Sequence, residues 1–263
     1  MPRTDSTRYT ILFATAVCVV CALLVAVSAV ALRERQQINA RLYQQKNVLL
    51  AAGLVGPDDS VSDEALLRIF DARIKVRLVD LATGDLLPQG KIDEKTYDQR
   101  RARNDPQMSR VAPPNAAQVP RVPTYGSAYF VMNGDRIEQV VIPVEGVGMW
   151  GTLYGFIAID RDGNTIRGLT YYDQKETPGL GGEAGNPKWQ AHWRGRKVYD
   201  ESWEPRITVI KGSAGPPERD PFHVDGLSGA TITSNGIARM MAFWLGDDGY
   251  RPFLRKFRQG ATQ

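Results

Sequence analysis

YFVMNGDRIEQVVIPV, residues 129–144, is the stretch on which the fold turns. Two apolar, β-branched runs flank Asn133-Gly134-Asp135, and Asn-Gly supplies the positive φ that a tight hairpin turn requires. The spacing predicts strands over 129–132 and 136–144. The pattern recurs C-terminally, where WGTLYGFIAI (150–159) and TIRGLTYY (165–172) flank a turn at Asp162-Gly163-Asn164. In the other direction, RIKVRLV (73–79) alternates polar and apolar residues as a half-buried strand does; RITVI (206–210) predicts one more strand. Helices are few: one capped by Ser62-Asp63-Glu64 and ending near Phe70, one over 234–245, and a basic one over 249–258. Strands with interspersed helices and no βαβ alternation predict an α+β fold around an antiparallel sheet.

Outside that core the composition changes twice. Residues 83–123 hold Pro88, Pro106, Pro113, Pro114, Pro120 and Pro123 among many charges, the character of a long surface excursion. Residues 9–32 carry no charge at all. A helix of that length spans roughly 36 Å, enough to cross a hydrocarbon layer of about 30 Å. Ala29-Val30-Ala31 resembles a signal-cleavage site, but the apolar run far exceeds the usual signal core of about 7–15 residues, so a retained anchor is predicted. Cys18 and Cys21 have C-x-x-C spacing, yet among Val, Ala and Leu they read as small residues of a lipid- or helix-facing surface. Residues 33–52 lack Pro and Gly and predict a helical stalk, stopped by Gly53-Leu54-Val55-Gly56-Pro57. The expected organisation is a segment 1–8, a transmembrane helix 9–32, a stalk and accessory region 33–123, and a C-terminal domain 124–263. Arg3 and Arg8 precede the span whereas Arg33, Arg35, Arg41 and Lys46 follow it, so positive charge alone would leave the large C-terminal part in the cytoplasm.

Composition excludes several functions. The chain has 263 residues, 33 Lys+Arg against 29 Asp+Glu, and a net charge of +4, too small and scattered for a nucleic-acid partner. With two cysteines, both in the apolar run, and two histidines, His192 and His223, no zinc finger, iron–sulfur domain or disulfide framework can be built. Redox chemistry in the rest of the chain would need an organic cofactor.

Four segments could carry chemistry. Gly146-Val147-Gly148-Met149-Trp150-Gly151 lacks nucleotide-fingerprint spacing, but its glycines allow close backbone approach beside an indole that can pack on a planar ligand. Glu176-Thr177-Pro178-Gly179-Leu180-Gly181-Gly182-Glu183 sets a tight turn and exposes backbone N–H groups. Asp225-Gly226-Leu227-Ser228-Gly229-Ala230-Thr231-Ile232-Thr233 runs into a helix with Thr233, Ser234 or Asn235 as the expected cap, and unpaired N–H groups at a helix start suit a phosphate. In an extended lead-in, Thr231 and Thr233 would point the same way. The fourth, Trp189 to Trp203, reads as core and rim packing, with partner contact as the lesser alternative. A serine hydrolase centred on Ser228 and His223 is disfavoured because G-L-S-G is not the G-x-S-x-G elbow. A non-catalytic membrane-anchored scaffold is a further class, told apart by the absence of any chromophore.

Together, the anchor, Gly148-Met149-Trp150, Glu176-Thr177-Pro178-Gly179-Leu180-Gly181-Gly182 and Ser228-Gly229-Ala230-Thr231 resemble the C-subunit family of the sodium-translocating NADH:quinone oxidoreductase (the Nqr complex), within the FMN-binding domain family. The resemblance implies a single-pass bacterial inner-membrane protein whose C-terminal FMN-binding domain faces the periplasm, against the charge count. It implies covalent FMN, joined by a phosphoester to Thr231 by a flavin transferase that uses FAD, with Asp225 assisting that enzyme through its magnesium. Ser228, Gly229, Ala230 and Thr233 would surround the attachment point. The flavin ring would lie against Leu180 and the Thr177, Pro178 and Gly179 backbone, near Trp150 and Glu176. The implied work is electron relay from an intramembrane iron–sulfur centre to the FMN of the B subunit, in a complex with the A, B, D, E and F subunits. No metal site and no acid–base catalyst is placed on this chain. The related G subunit of Rnf-type complexes shares two motifs and is the alternative; those chains tend to lack an insertion such as 83–123.

Overall fold

The computed structural model describes residues 7–260. Two units are distinguished, one ending at Gln44 and one running from Gln45 onward. Helix α1, Thr7–Ala51, is continuous, so the expected span and stalk form one element. Of the expected segment 1–8, residues 1–6 lie outside the described residues. Among the described residues α1 is the one helix long and apolar enough to cross a membrane, and Cys18 and Cys21 are exposed on it.

Within the second unit the last turns of α1 pack into the domain, burying Asn47, Val48, Leu49 and Ala51. The helix stops where the sequence predicts. Gly53 takes φ +69°, its N–H donates to Leu50 O, and the Leu54 N–H donates to Leu49 O, closing the helix end with a left-handed glycine. Helix α2, Asp63–Arg73, begins at the predicted cap: Ser62 Oγ accepts from Ala65 N–H.

Strands β1 (Ile74–Asp80), β4 (Tyr125–Asn133), β5 (Arg136–Val147), β6 (Thr152–Asp160) and β7 (Ile166–Asp173) form one sheet in the order β1-β4-β5-β6-β7, with every neighbouring pair antiparallel. The predicted hairpins are present. Both faces are covered. Val141 of β5 and Phe156 and Ala158 of β6 join Val48 and Leu49 of α1 and Phe70 of α2 on one face. Val140, Ile142 and Val144 face the other way, into a core shared with helices α5 (Thr231–Trp244) and α6 (Arg251–Arg258). That double burial explains why β5 reads VVIPV instead of alternating.

The excursion 83–123 has more structure than expected. It carries helix α3, Gln99–Asn104, and strands β2 (Ser109–Val111) and β3 (Arg121–Pro123), which pair with each other. Ala117, Val119 and Val122 are buried in the main core, which holds the segment down. The expected strand 206–210 shrinks to β8, Thr208–Val209, which pairs in parallel with β9, His223–Val224. Its neighbours instead form loop contacts, such as Arg206 N–H to Val198 O. Trp189, Trp193 and Trp203 are all buried, which is the packing reading; a short helix, α4 (Pro187–Gln190), carries the first of them.

Candidate functional site

The site forms at one end of the sheet, where β5 turns into β6 and β7 leaves it. Beyond β5, the chain closes a tight turn in which the Gly148 N–H donates to Gly151 O at 2.8 Å. Beyond β7, the Gln174 side-chain oxygen accepts from the Glu176 N–H, and Gly182 N–H donates to Thr177 O at 2.9 Å, curling 177–182 into a compact loop. Helix α5 supplies the third wall.

One side chain ties these three segments together. Glu176 is buried, and its Oε1 accepts from the Met149 N–H at 3.0 Å and the Trp150 N–H at 2.9 Å. Its Oε2 accepts from the Thr233 hydroxyl. All three bonds run toward the carboxylate, the acceptor-only role of that group. The approach is close enough to demand glycine: a Cβ at Gly148 would sit 2.6 Å from Glu176 Oε1, and one at Gly181 would sit 2.5 Å from Oε2. The resemblance implies that Glu176 and Thr233 border a flavin. The structure makes both of them internal struts.

Helix α5 begins earlier than expected, at Thr231, and no side chain caps it. The cap position is Ala230, because Gly229 at φ +68° and the bond from Ala230 N–H to Leu227 O turn the chain directly into the helix. The first intrahelical bond runs from Ser234 N–H to Ala230 O. Thr231 and Thr233 therefore lie about 200° apart around the helix, not on one side as an extended lead-in would have them. Thr231 is exposed and Thr233 is 1% exposed. Ser234, a proposed cap, is buried and its Oγ accepts from Leu227 N–H at 3.0 Å, bracing the S-G-A-T turn from inside.

Beside Thr231 lies a cavity of about 450 Å³, lined by Lys211, Ser213, Asp225, Ser228, Ser234 and Asn235 among others. Four large apolar side chains of these segments stand in solvent: Met149, Trp150 at 63% exposure, Leu180 at 43% and Ile232. Leu180 also abuts Gly229, since a Cβ there would be 2.9 Å from Leu180 Cδ2. Thr177, Pro178 and Gly179 make the turn that presents Leu180, with Gly179 at φ +75°.

Asp225 is the predicted site residue with the most distinct surroundings. Its carboxylate accepts from Ser213 Oγ at 3.0 Å and Ala214 N–H at 2.9 Å, and lies 3.3 Å from His192 Nδ1. Its carbonyl accepts from Trp189 Nε1 at 2.9 Å. It thus holds the 211–214 loop, of which Lys211, Gly212 and Ser213 line the cavity. Lys211, Ser213 and His192 escaped the sequence reading because nothing in their local pattern relates them to a motif some residues away. His223 Nδ1 is engaged by Asp220 at 2.7 Å, and among the hydrogen bonds of the described residues none joins His223 to Ser228.

The comparisons with known proteins cover this stretch of the chain. The FMN-binding domain model matches residues 148–246, the stretch from the Gly148 turn through α5. The C subunit of the Na(+)-translocating NADH-quinone reductase of Yersinia pestis is 44% identical over 262 residues, covering 98% of this chain and 96% of that protein. The protein of the same name from Pseudomonas aeruginosa is 40% identical over 263 residues, 99% of each. Among solved structures, Shewanella oneidensis NqrC superposes with a TM-score of 0.75 at 30% identity, covering 83% of this chain and 98% of that one. The same reductase's C subunit from Parabacteroides distasonis superposes at 0.64 with 26% identity, covering 85% of this chain and 96% of that one. Identity of this order over nearly the whole length of both chains shows that the chain belongs to the C-subunit family of the Na(+)-translocating NADH-quinone reductase.

Proposed function

We propose that this chain carries FMN through a phosphoester to the Thr231 hydroxyl and relays electrons within a sodium-translocating NADH:quinone oxidoreductase. The observation that carries the reading is the setting of Thr231: an exposed hydroxyl on the first residue of an uncapped helix, bordered by a cavity that Ser213, Asp225, Ser228 and Asn235 line together with apolar groups. The residues present fit the group. A phosphodiester on Thr231 would meet the free N–H groups and the positive end of α5, and a planar ring would find Trp150, Leu180 and Ile232 as partners already standing in solvent.

Bound there, FMN supplies the capacity to pass electrons one at a time between a one-electron donor and another flavin. The protein's contribution is positional. Gly229 and Leu227 set the turn that holds Thr231 outward, Ser234 braces that turn, and Leu180 closes on Gly229 to set the distance between the attachment end and the ring end. Glu176 keeps the Trp150 segment in register with α5. A tether keeps the cofactor at high local concentration in an open site, which suits a relay that meets two partners.

Membership of the family supports the wider assignments. The donor is an iron–sulfur centre of the membrane subunits and the acceptor is the FMN of the B subunit, with the A, D, E and F subunits completing the complex. Relatives that match across the insertion favour this over the G subunit of an Rnf-type complex. A flavin transferase using FAD installs the cofactor, and Asp225 serves that step at the acidic position of the motif. Residues 9–32 span the inner membrane, 33–123 form the stalk and accessory region, and 124–263 form the FMN domain on the periplasmic side.

Coexpression with a flavin transferase tests the core of this reading. A fluorescent band should survive denaturing electrophoresis, and peptide mass spectrometry should place the FMN adduct on Thr231. An adduct on Thr233, or no covalent flavin at all, would overturn it. A reporter fused after Gln263 should be active only in the periplasm; cytoplasmic activity from a stable fusion would reverse the topology.

A further inference from the structure

The two loops of the site leave the sheet from a single row of cross-strand neighbours. Glu145 of β5 pairs with Tyr154 of β6, and Tyr154 pairs with Asp173 of β7. Three residues after Glu145 comes Gly148, which opens the Met149-Trp150 turn; three residues after Asp173 comes Glu176, the strut. Cross-strand neighbours project to the same face of a sheet, so one element lying across this row can hold both exits at once.

That element is α3, in the Pro-rich insertion and outside the stretch that matches the FMN-binding domain model. The Arg100 guanidinium lies over the Tyr154 ring, 3.3 Å from its centroid. It donates to Asp173 Oδ2 at 3.0 Å and to the Tyr172 hydroxyl at 2.9 Å. One turn on, Arg103 pairs with Glu145, both side chains being buried or nearly so. Between them the two arginines reach every member of the row. The helix itself is anchored: Asp98 caps it, and Gln99 Oε1 accepts from Ser127 N–H at 2.7 Å and from the Tyr250 hydroxyl at 3.0 Å. Stacking on a ring while donating in plane is a task for a planar guanidinium, one that a lysine ammonium cannot perform.

We propose that α3 is a clamp: Arg100 and Arg103 grip the Glu145–Tyr154–Asp173 row and so restrain the two loops against which the flavin ring rests. They are positioning residues, acting through the row and touching no cofactor. The flavin part of this inference rests on the function proposed above; the clamp itself does not.

Amide hydrogen exchange on the flavin-free protein tests the clamp directly. Arg100→Ala should speed exchange in 146–151 and 174–182 by about tenfold or more, with the strand centres at 140–142 and 156–158 unchanged. Arg100→Lys should restore little of the protection, because it keeps the charge and loses the stack. Should Arg103→Ala fold poorly with Glu145 left unpaired, the double variant Arg103→Met, Glu145→Gln removes the pair without a buried orphan charge and should loosen 146–151 above all. Exchange that rises uniformly across the domain, or only within 83–123, would overturn the proposal. In flavinylated protein, Arg100→Ala should lower flavin fluorescence anisotropy while leaving the adduct on Thr231. An unchanged anisotropy would overturn the link to the ring. Wild type without covalent flavin would sink the functional reading and leave the exchange result to decide the clamp.

Discussion

The two ends of the sheet are built on different principles. At one end, β4 joins β5 and β6 joins β7 through short turns closed by their own residues, the second of which is also pinned to residues 197–199 by Asp162 and Asn164. Gly134 and Gly163 take φ +58° and +68°, and Asp162 Oδ1 accepts from Asn164 N–H at 2.8 Å and Thr165 N–H at 2.7 Å. At the other end, the turn after β5 and the loop after β7 are held by Glu176, Arg100 and Arg103. Their partners lie 26 to 73 residues away along the chain. Local turns close a sheet; holding the 148–151 turn, the 177–182 loop and α5 in fixed relation takes long-range struts.

The largest expected effect sharpens that contrast within a single helical turn. Thr231→Ala should abolish covalent flavin completely, read as loss of in-gel fluorescence, while shifting unfolding free energy by no more than about 0.5 kcal/mol because the side chain is exposed. Thr231→Ser should keep some attachment. Thr233→Ala should do the reverse: the adduct stays on Thr231, and about 1.5–3 kcal/mol of stability goes with the buried bond to Glu176. Loss of flavin from Thr233→Ala with Thr231 intact would mean that the two positions are not separable.

Next comes the strut. Glu176→Ala strands two backbone N–H groups and a buried hydroxyl, at about 1–3 kcal/mol for each fully buried group. A total of about 3 kcal/mol is expected in denaturant melts. Glu176→Gln, which still offers an oxygen to the Met149 and Trp150 N–H groups, should cost less than half as much. The opposite end should respond more weakly. Gly134→Ala meets open space and pays only for the left-handed backbone, about 1–2 kcal/mol. A Gly134 variant as damaging as Glu176→Ala would erase the distinction between the ends.

The smallest effect is electrostatic, and its sign differs between the ends. At Asp162 burial opposes ionisation, but the Thr165 hydroxyl, the Thr165 and Asn164 N–H groups and Lys197 outweigh it and hold the carboxyl below the ordinary range. Its stabilisation is present above the unfolded carboxyl value and is lost as the pH falls through the folded one. At Glu145 burial dominates, and Arg103 and Arg100 pull the carboxyl only part of the way back, leaving it above the ordinary range. Stability at that end falls as the pH rises from the unfolded value through the folded one. Carbon-detected carboxyl titration should show Asp162 titrating below free aspartate and Glu145 above free glutamate; the same direction at both would remove the electrostatic half of the comparison.

The sequence by itself determined what depends on neighbours in the chain. Asn133-Gly134 and Asp162-Gly163-Asn164 named their turns, Ser62 its helix cap and Gly53 the end of the long helix, because turn and cap chemistry is satisfied within a few residues. The S-G-A-T and T-P-G-L-G segments were legible for the same reason, as short runs of small residues with a family likeness. Tertiary structure alone decided which hydroxyl points out. The start of α5 moved to Thr231 because Gly229 and Leu227 form the preceding turn and Glu176, 57 residues earlier, draws Thr233 inward. It also decided that Glu176 is a strut, that Asp225 supports the 211–214 loop, and that arginines of a proline-rich insertion grip the sheet. Each of those outcomes depends on carboxylates and guanidinium groups meeting across the fold, and a buried charge finds its partner through three-dimensional packing that no local pattern encodes.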